Sequence, residues 1–188
     1  MIPQSFYKQS VITLARGLLG MLLVHETPEG TTVGKIVETE AYHEDDPAAH
    51  SFHGKTKRNA VMFGPAGHVY IYCTYGIHYC FNVVAGKEGE GDAVLIRALE
   101  PLKGISLMRT RRGRKEEEDL CSGPAKLVQA MGFTEEHNGF PLTGAIRIEL
   151  GENPKQIVQT TRVGISKGKK LPYRFCIKNN RFLSRKSL

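Results

Sequence analysis

Residues 21–42, MLLVHETPEGTTVGKIVETEAY, hold two runs of strand-favouring residues around a short polar break. MLLVHE reads as a strand, TPEG as a turn and TTVGKIVETEAY as a second, longer strand, so the stretch is a hairpin. Alternate residues of an extended strand share a face. Glu38, Glu40 and Tyr42 therefore point one way, with Val37, Thr39 and Ala41 opposite. The two carboxylates then stand about 7 Å apart, two strand rises, beside an aromatic ring. Two readings fit: an exposed charged face, or a general base beside a stacking platform, since a carboxylate in a partly closed site can accept a proton from water.

Upstream, SVITLARGLL (10–19) opens on a capping serine and sets Val11, Leu14, Ala15, Leu18 and Leu19 at helical spacing, with Gly20 as terminator. Downstream, HVYIYC and HYCFNVVA form a second strand pair around Thr74-Tyr75-Gly76-Ile77, and AVLIRAL follows a flexible GKEGEGD. SGPAKLVQAM predicts a helix with a serine cap and an early proline. IRIEL, TTRVGIS and YRFCIK read as further strands, with the basic loop SKGKK between the last two. RTRRGRKEEEDL is a block of each charge, read as solvated. Several antiparallel strands with a few helices imply an α+β fold. No repeat or long linker divides the chain, so residues 1–188 are expected to be one domain.

With 188 residues the chain can bury one substantial core. Its 26 Lys+Arg against 19 Asp+Glu leave a charge of +7, which favours an anionic partner such as nucleic acid. The four cysteines form no C-x-x-C pair or secreted disulfide framework, and reduced thiols in the cytoplasm are the simplest reading. MIPQSFYKQS has no signal-peptide architecture. The apolar run GLLGMLLV falls short of the roughly 20 residues that span a membrane. No membrane partner is expected. No glycine-rich nucleotide loop follows a parallel strand, which argues against an NAD or ATP enzyme.

Two segments could carry further chemistry. HEDDPAAHSFH sets His43, His50 and His53 among Glu44, Asp45 and Asp46, at a spacing that matches no standard zinc signature. A metal-dependent nuclease stays open as a rival. Asp45 and Asp46 are expected to be solvated, and Ala48-Ala49-His50 to fold back towards the ETEAY strand. VYIYCTYGIHYCFN (69–82) holds four of the seven tyrosines. Tyr70 and Tyr72 share one strand face, Tyr79 and Phe81 suit a core, and Tyr75 and Ile77 sit at the tip. An apolar wedge on a protruding element can enter a DNA base stack from the minor groove. Asn82 could reach a base edge with its amide.

The segments ARGLLG, VETEAY, AAHS, RN-x-x-MF, VYIYCTYG, FN, LIRALEPL, LCSGPAKL and RVGI occur here in the order seen in the alkyladenine (3-methyladenine) DNA glycosylases. The chain resembles that family from about residue 5 to 184 and has the look of a bacterial member. The resemblance implies a single compact domain with a curved antiparallel sheet, peripheral helices and a protruding hairpin. It implies that Glu40 is the general base that activates water and that Arg97 helps hold that water. Tyr42 and His50 would line one side of a base pocket and Tyr72 the other. Asn82 would crowd the purine 2-amino position, and Tyr75, followed by Ile77, would fill the gap in the duplex. Ile77 and His78 stand where the mammalian form has Met-Tyr.

The implied reaction is monofunctional hydrolysis of an N-glycosidic bond in double-stranded DNA, releasing damaged purines: 3-methyladenine, 7-methylguanine, hypoxanthine or ethenoadenine. It passes through a sugar with oxocarbenium character that one carboxylate can stabilise, with no metal or organic cofactor required. Flipping costs a few kcal/mol, and stacking on aromatic rings returns about 1–3 kcal/mol per base. Lys55, Lys57, Arg58, Lys167, Lys169 and Lys170 are candidates for phosphate contacts. A monomer acting at the nucleoid is expected. The rival in a different class is a non-catalytic module that recognises distorted DNA with the same tyrosines.

Overall fold

The longest strand of the computed structural model, β2 (Gly30–Tyr42), runs through the middle of an antiparallel sheet. Residues 2–74 and 76–185 are described. Hairpin partner β1 (Leu22–Thr27) lies on one edge of β2, and β5 (Ala93–Lys103) on the other. The hairpin of β3 (Val69–Thr74) and β4 (His78–Val84) extends the sheet beyond β5, and β6 (Ile146–Glu149) extends it beyond β1. Two short strands complete it: β7 (Ile157–Thr160) pairs with β8 (Arg174–Ile177), which pairs with β2 over Glu38–Glu40. The sheet curls. Residues 139–142 run alongside β3, with the Val69 amide donating to the Phe140 carbonyl and the Gly139 amide to the Val69 carbonyl, each at 2.8 Å. That brings the approach to β6 against the free edge of the tyrosine hairpin. The fold is α+β, as expected.

One helix face closes the concave side. Helix α2 (Val11–Gly17), after a one-turn α1 (Gln4–Tyr7), is capped by Ser10, whose hydroxyl accepts from the Thr13 amide. It buries Val11, Leu14 and Ala15 beside Ile36, Ala41, Val94, Ile96 and Phe81. The Thr39 hydroxyl donates to the Ala15 carbonyl at 2.8 Å, fixing helix to sheet. Helices α3 (Ile105–Arg112) and α4 (Pro124–Met131) pack against each other at the flank.

Strand parity is interrupted, with a consequence for Val37. Between Ile36 and Glu38 the pairing with β5 slips by one residue, and it slips again between Glu38 and Thr39, where Arg97 is passed over. The bulges put consecutive residues on one face. Ile36 and Ala41 pack in the main core, whereas Val37 packs with Ala98, Cys176 and Phe182 on the other side. Val37 thus shares the face of Glu38 and Glu40, against simple alternation. Without the slip, burying Ile36 would turn both carboxylates into the apolar core.

Other elements differ from the sequence reading in smaller ways. Helix α4 is capped by Gly123 rather than Ser122, whose hydroxyl instead accepts from Lys126. RTRR is not free charge: it ends α3, and Arg111 binds Glu29 while Arg112 binds Gln129 and the Leu120 carbonyl. TTRVGIS is a loop beyond Thr160, because its side chains and amides are committed to β2 rather than to a strand partner. Among the described residues no helix is long and apolar enough to cross a membrane.

Candidate active site

The outer face of β2 carries two buried carboxylates with different partners. Glu40 has no solvent exposure. Its Oε1 accepts from the Val163 amide at 2.8 Å, and its Oε2 accepts from the Tyr42 hydroxyl at 2.8 Å and Arg97 Nη1 at 3.4 Å. Glu38 is equally buried. Its Oε1 accepts from Arg97 Nε, Arg174 Nε and the Ser184 hydroxyl, and its Oε2 from the Ser184 amide. Two guanidiniums balance two carboxylates, the condition under which burying such charges is tolerable. The reading of this face as an exposed charged surface is set aside by its burial.

Tyr42 joins this network to a cavity. Burial first, and then the Glu40 charge, push its phenol well above the ordinary range, so it acts as a neutral donor. Its ring, with His50, Tyr70, Tyr72, Asn82 and Ile165, lines a cavity of about 130 Å³. That is the scale of one small aromatic ring system, since an engineered cavity of about 150 Å³ takes benzene. Four residues expected to contact a base (Tyr42, His50, Tyr72 and Asn82) therefore converge on one pocket.

The far wall comes from the tyrosine hairpin. Tyr72 meets the His50 ring edge to face at 4.3 Å. His50 Nδ1 lies 3.0 Å from the hydroxyl of Tyr70, a residue buried beneath the pocket with Met62, Val84 and Ala93. Burial pushes the Tyr70 phenol up to about 12 and lowers the His50 imidazole, the latter helped by the nearby Arg58 charge. A neutral imidazole can face a cationic purine without repelling it. Asn82 is buried, and its Nδ2 donates to the Tyr70 carbonyl at 3.0 Å, which sets the amide plane. Phe81 is in the main core, as the strand reading placed it, whereas Tyr79 only packs partly against that core and turns its hydroxyl to Glu135 at the surface.

Arg162 and Val163, within RVGI, escaped residue-level assignment. The Arg162 side chain is fully buried. It donates to the Ala41 carbonyl and to Asp46, and its guanidinium lies 4.6 Å from the Tyr42 ring centre, on the ring face. Asp46 is thus buried and paired, contrary to the expectation that it is solvated, whereas Asp45 is exposed. The remaining acids and histidines of that loop go to separate partners: His43 faces Asp45 and Asp92, and Glu44 accepts from the Gly91 amide. Gly91 and Asp92 tie GKEGEGD to the same loop, so that segment is anchored rather than free.

A family model described as methylpurine-DNA glycosylase matches residues 5–181. The chain belongs to the methylpurine-DNA glycosylase family. A Carboxydothermus hydrogenoformans protein named "Putative 3-methyladenine DNA glycosylase" is 54% identical over 190 residues, covering 99% of this chain and 100% of its own length. A protein of the same name from Methanoculleus marisnigri is 53% identical over 191 residues, covering 98% and 99%. Membership makes this chain a DNA glycosylase of the repair class, and DNA its substrate.

The remaining site expectations fall in two loops beside this cavity and at the hairpin tip. Lys55, Lys57 and Arg58 are exposed in the loop after His50, and Arg58 donates to the Cys73 carbonyl on the hairpin. Lys167, Lys169 and Lys170 are exposed in the loop that supplies Ile165. Both basic groups belong to loops that also supply pocket residues. Ile77 stands 73% exposed at the hairpin tip beside Gly76, which takes a left-handed φ of 72°. The wedge assigned to Tyr75 lies outside the described residues.

Proposed function

We propose that this single-domain chain is a monofunctional glycosylase that flips alkylated or deaminated purines out of double-stranded DNA and hydrolyses the N-glycosidic bond, leaving an abasic site. The carrying observation is that Tyr42 both lines the cavity and donates to Glu40, so the stacking surface and the carboxylate are two sides of one residue. In this reading a purine stacks on the Tyr42 ring, and Tyr72 with the His50 ring that it touches forms the rest of the wall around it. Alkylated purines bearing positive charge gain most from the electron-rich tyrosine faces. Asn82, held at the pocket floor, opposes the 2-amino group of normal guanine.

Glu40 is the general base. An ionised carboxylate has about four acceptor positions. Three are taken by Val163, Tyr42 and Arg97, which leaves one, on Oε1, for a water. The water is admitted with the substrate, since the carboxylate is wholly buried in the free protein. That water loses its proton to Glu40 as its oxygen bonds to the anomeric carbon. The bond to the purine nitrogen breaks, and the electron pair leaves with the base. The carboxylate also offsets the positive charge that develops on the sugar. Ile77 and the adjoining tip occupy the gap in the duplex, and the two basic loops hold the flanking phosphates. The enzyme works as a monomer at the nucleoid, on 3-methyladenine, 7-methylguanine, hypoxanthine and ethenoadenine.

The test is Glu40→Gln, which keeps the shape of the side chain and removes the base. Release of 3-methyladenine from lesion duplex should be abolished while binding to abasic-site DNA is retained. Full excision by the variant would sink the assignment.

A further inference from the structure

The carboxylate–guanidinium network behind Glu40 is closed by a residue far along the chain. Ser184 makes three contacts there. Its amide donates to Glu38 Oε2 at 2.6 Å, its hydroxyl donates to Glu38 Oε1 at 2.7 Å, and the same hydroxyl oxygen accepts from Arg97 Nη2 at 3.3 Å. The neighbouring residues seat it: Phe182 and Leu183 pack on Val37, Ala98 and Cys176, and the Arg185 carbonyl accepts from Arg174 Nη2. Residues 182–185 are therefore a strap across the back of the β2–β5–β8 junction.

Arg97 sits between two anions. Its Nε lies 3.1 Å from Glu38, closer than the 3.4 Å from Nη1 to Glu40. With Nε held by Glu38 and Nη2 by Ser184, only the Nη1 end is presented to Glu40. Released from Ser184, Nη2 would join Nη1 in the planar fork that grips a carboxylate bidentately, even with Nε still on Glu38. Such a grip on Glu40 would occupy the acceptor position that the water requires.

We propose that Ser184 is a positioning residue for excision. By bridging Glu38 and Arg97, its hydroxyl fixes the single-point contact of Arg97 with Glu40 and keeps an oxygen of Glu40 available to the attacking water. The inference rests on Glu40 acting as proposed above, and it adds a residue that touches neither base nor sugar.

Ser184 is half-buried, so its hydroxyl can be removed without opening the core. The experiment compares wild type, Ser184→Ala and Ser184→Thr in single-turnover excision of 3-methyladenine, alongside binding to abasic-site DNA. Ser184→Ala should slow excision about ten- to a hundred-fold, the scale of a misplaced positioning contact. Its affinity for abasic-site DNA should stay within about twofold, far below the tenfold that 1.4 kcal/mol represents. Ser184→Thr, which restores the hydroxyl, should recover most of the rate. Equal rates for wild type and Ser184→Ala would overturn this inference and leave the proposed function standing. A parallel loss of rate and binding in Ser184→Ala, or no recovery in Ser184→Thr, would also overturn it. Absence of excision by wild type would overturn the proposed function itself, and this inference with it.

Discussion

Asp45 and Asp46 share a chemistry and a loop but differ in fate. The Asp45 side chain is 90% exposed, and that of Asp46 is 1% exposed against Arg162. Removing one partner of a buried pair leaves the other charge uncompensated, at a cost of about 3–5 kcal/mol. Asp46→Asn should therefore lower the unfolding free energy by an amount of that order, and Asp45→Asn should change it by less than about 0.5 kcal/mol. Urea unfolding of the two variants decides the matter, and equal midpoints would contradict the pairing. The same substitution should reach the site, because Arg162 backs the Tyr42 ring and precedes the amide that holds Glu40. The sequence showed none of this at the residue scale. Both aspartates sit in a polar loop, and the partner of one lies 116 residues away.

The tyrosine hairpin shows how far local pattern carries at the scale of an element. Period-two alternation was enough to separate Tyr72, at the pocket, from Ile71, in the core. It also set Phe81 inward and left the tip outside. Ile77 at the tip touches little of its own chain, so Ile77→Ala should leave the thermal midpoint nearly unchanged, as for other surface substitutions. If the tip enters the base stack, the same change should weaken binding to a lesion duplex several-fold, since an inserted wedge offsets the cost of unstacking. A Kd equal to wild type would remove Ile77 from the interface. Strand β2 shows the opposite case. Alternation correctly united Glu38, Glu40 and Tyr42 but misplaced Val37, because a bulge exists only relative to a partner strand, and β5 begins more than 50 residues later.

Across the whole molecule, histidines held below their ordinary value couple stability to pH. His25 is buried, donates from Nδ1 to the Met131 carbonyl at 2.8 Å and stacks on Phe133. Burial lowers its imidazole, with His137 and Arg111 adding to the effect and the Met131 carbonyl opposing it. His50 is lowered too. For a group lowered on folding, the unfolded chain binds protons first, so the stability it contributes is complete above the unfolded value near 6.5 and is lost as pH falls through the folded one. Asp92, raised mainly by burial, works in the other sense, since its stabilisation is lost as pH rises. Slopes must therefore be compared between proteins. Denaturant midpoints at pH 7.5 and 5.5 should fall with pH more steeply in wild type than in a His25→Gln, His50→Gln double variant. An unchanged slope would show that neither ring is held neutral by the fold.

By itself, the sequence determined what depends on near neighbours and on motif order. The strand periods, the capped helix α2, the α+β class, the Glu40–Tyr42 pair and the family were all legible in it. Only the tertiary structure decided which charges are buried, which face Val37 joins, and that Ser184 bonds Glu38 and Arg97 while Arg162 backs the Tyr42 ring. The reason is physical. A side chain's period is set by its own backbone, but its burial and hydrogen-bond partners are set by whatever chain closure brings against it. For Glu38 the partner at Ser184 lies 146 residues away.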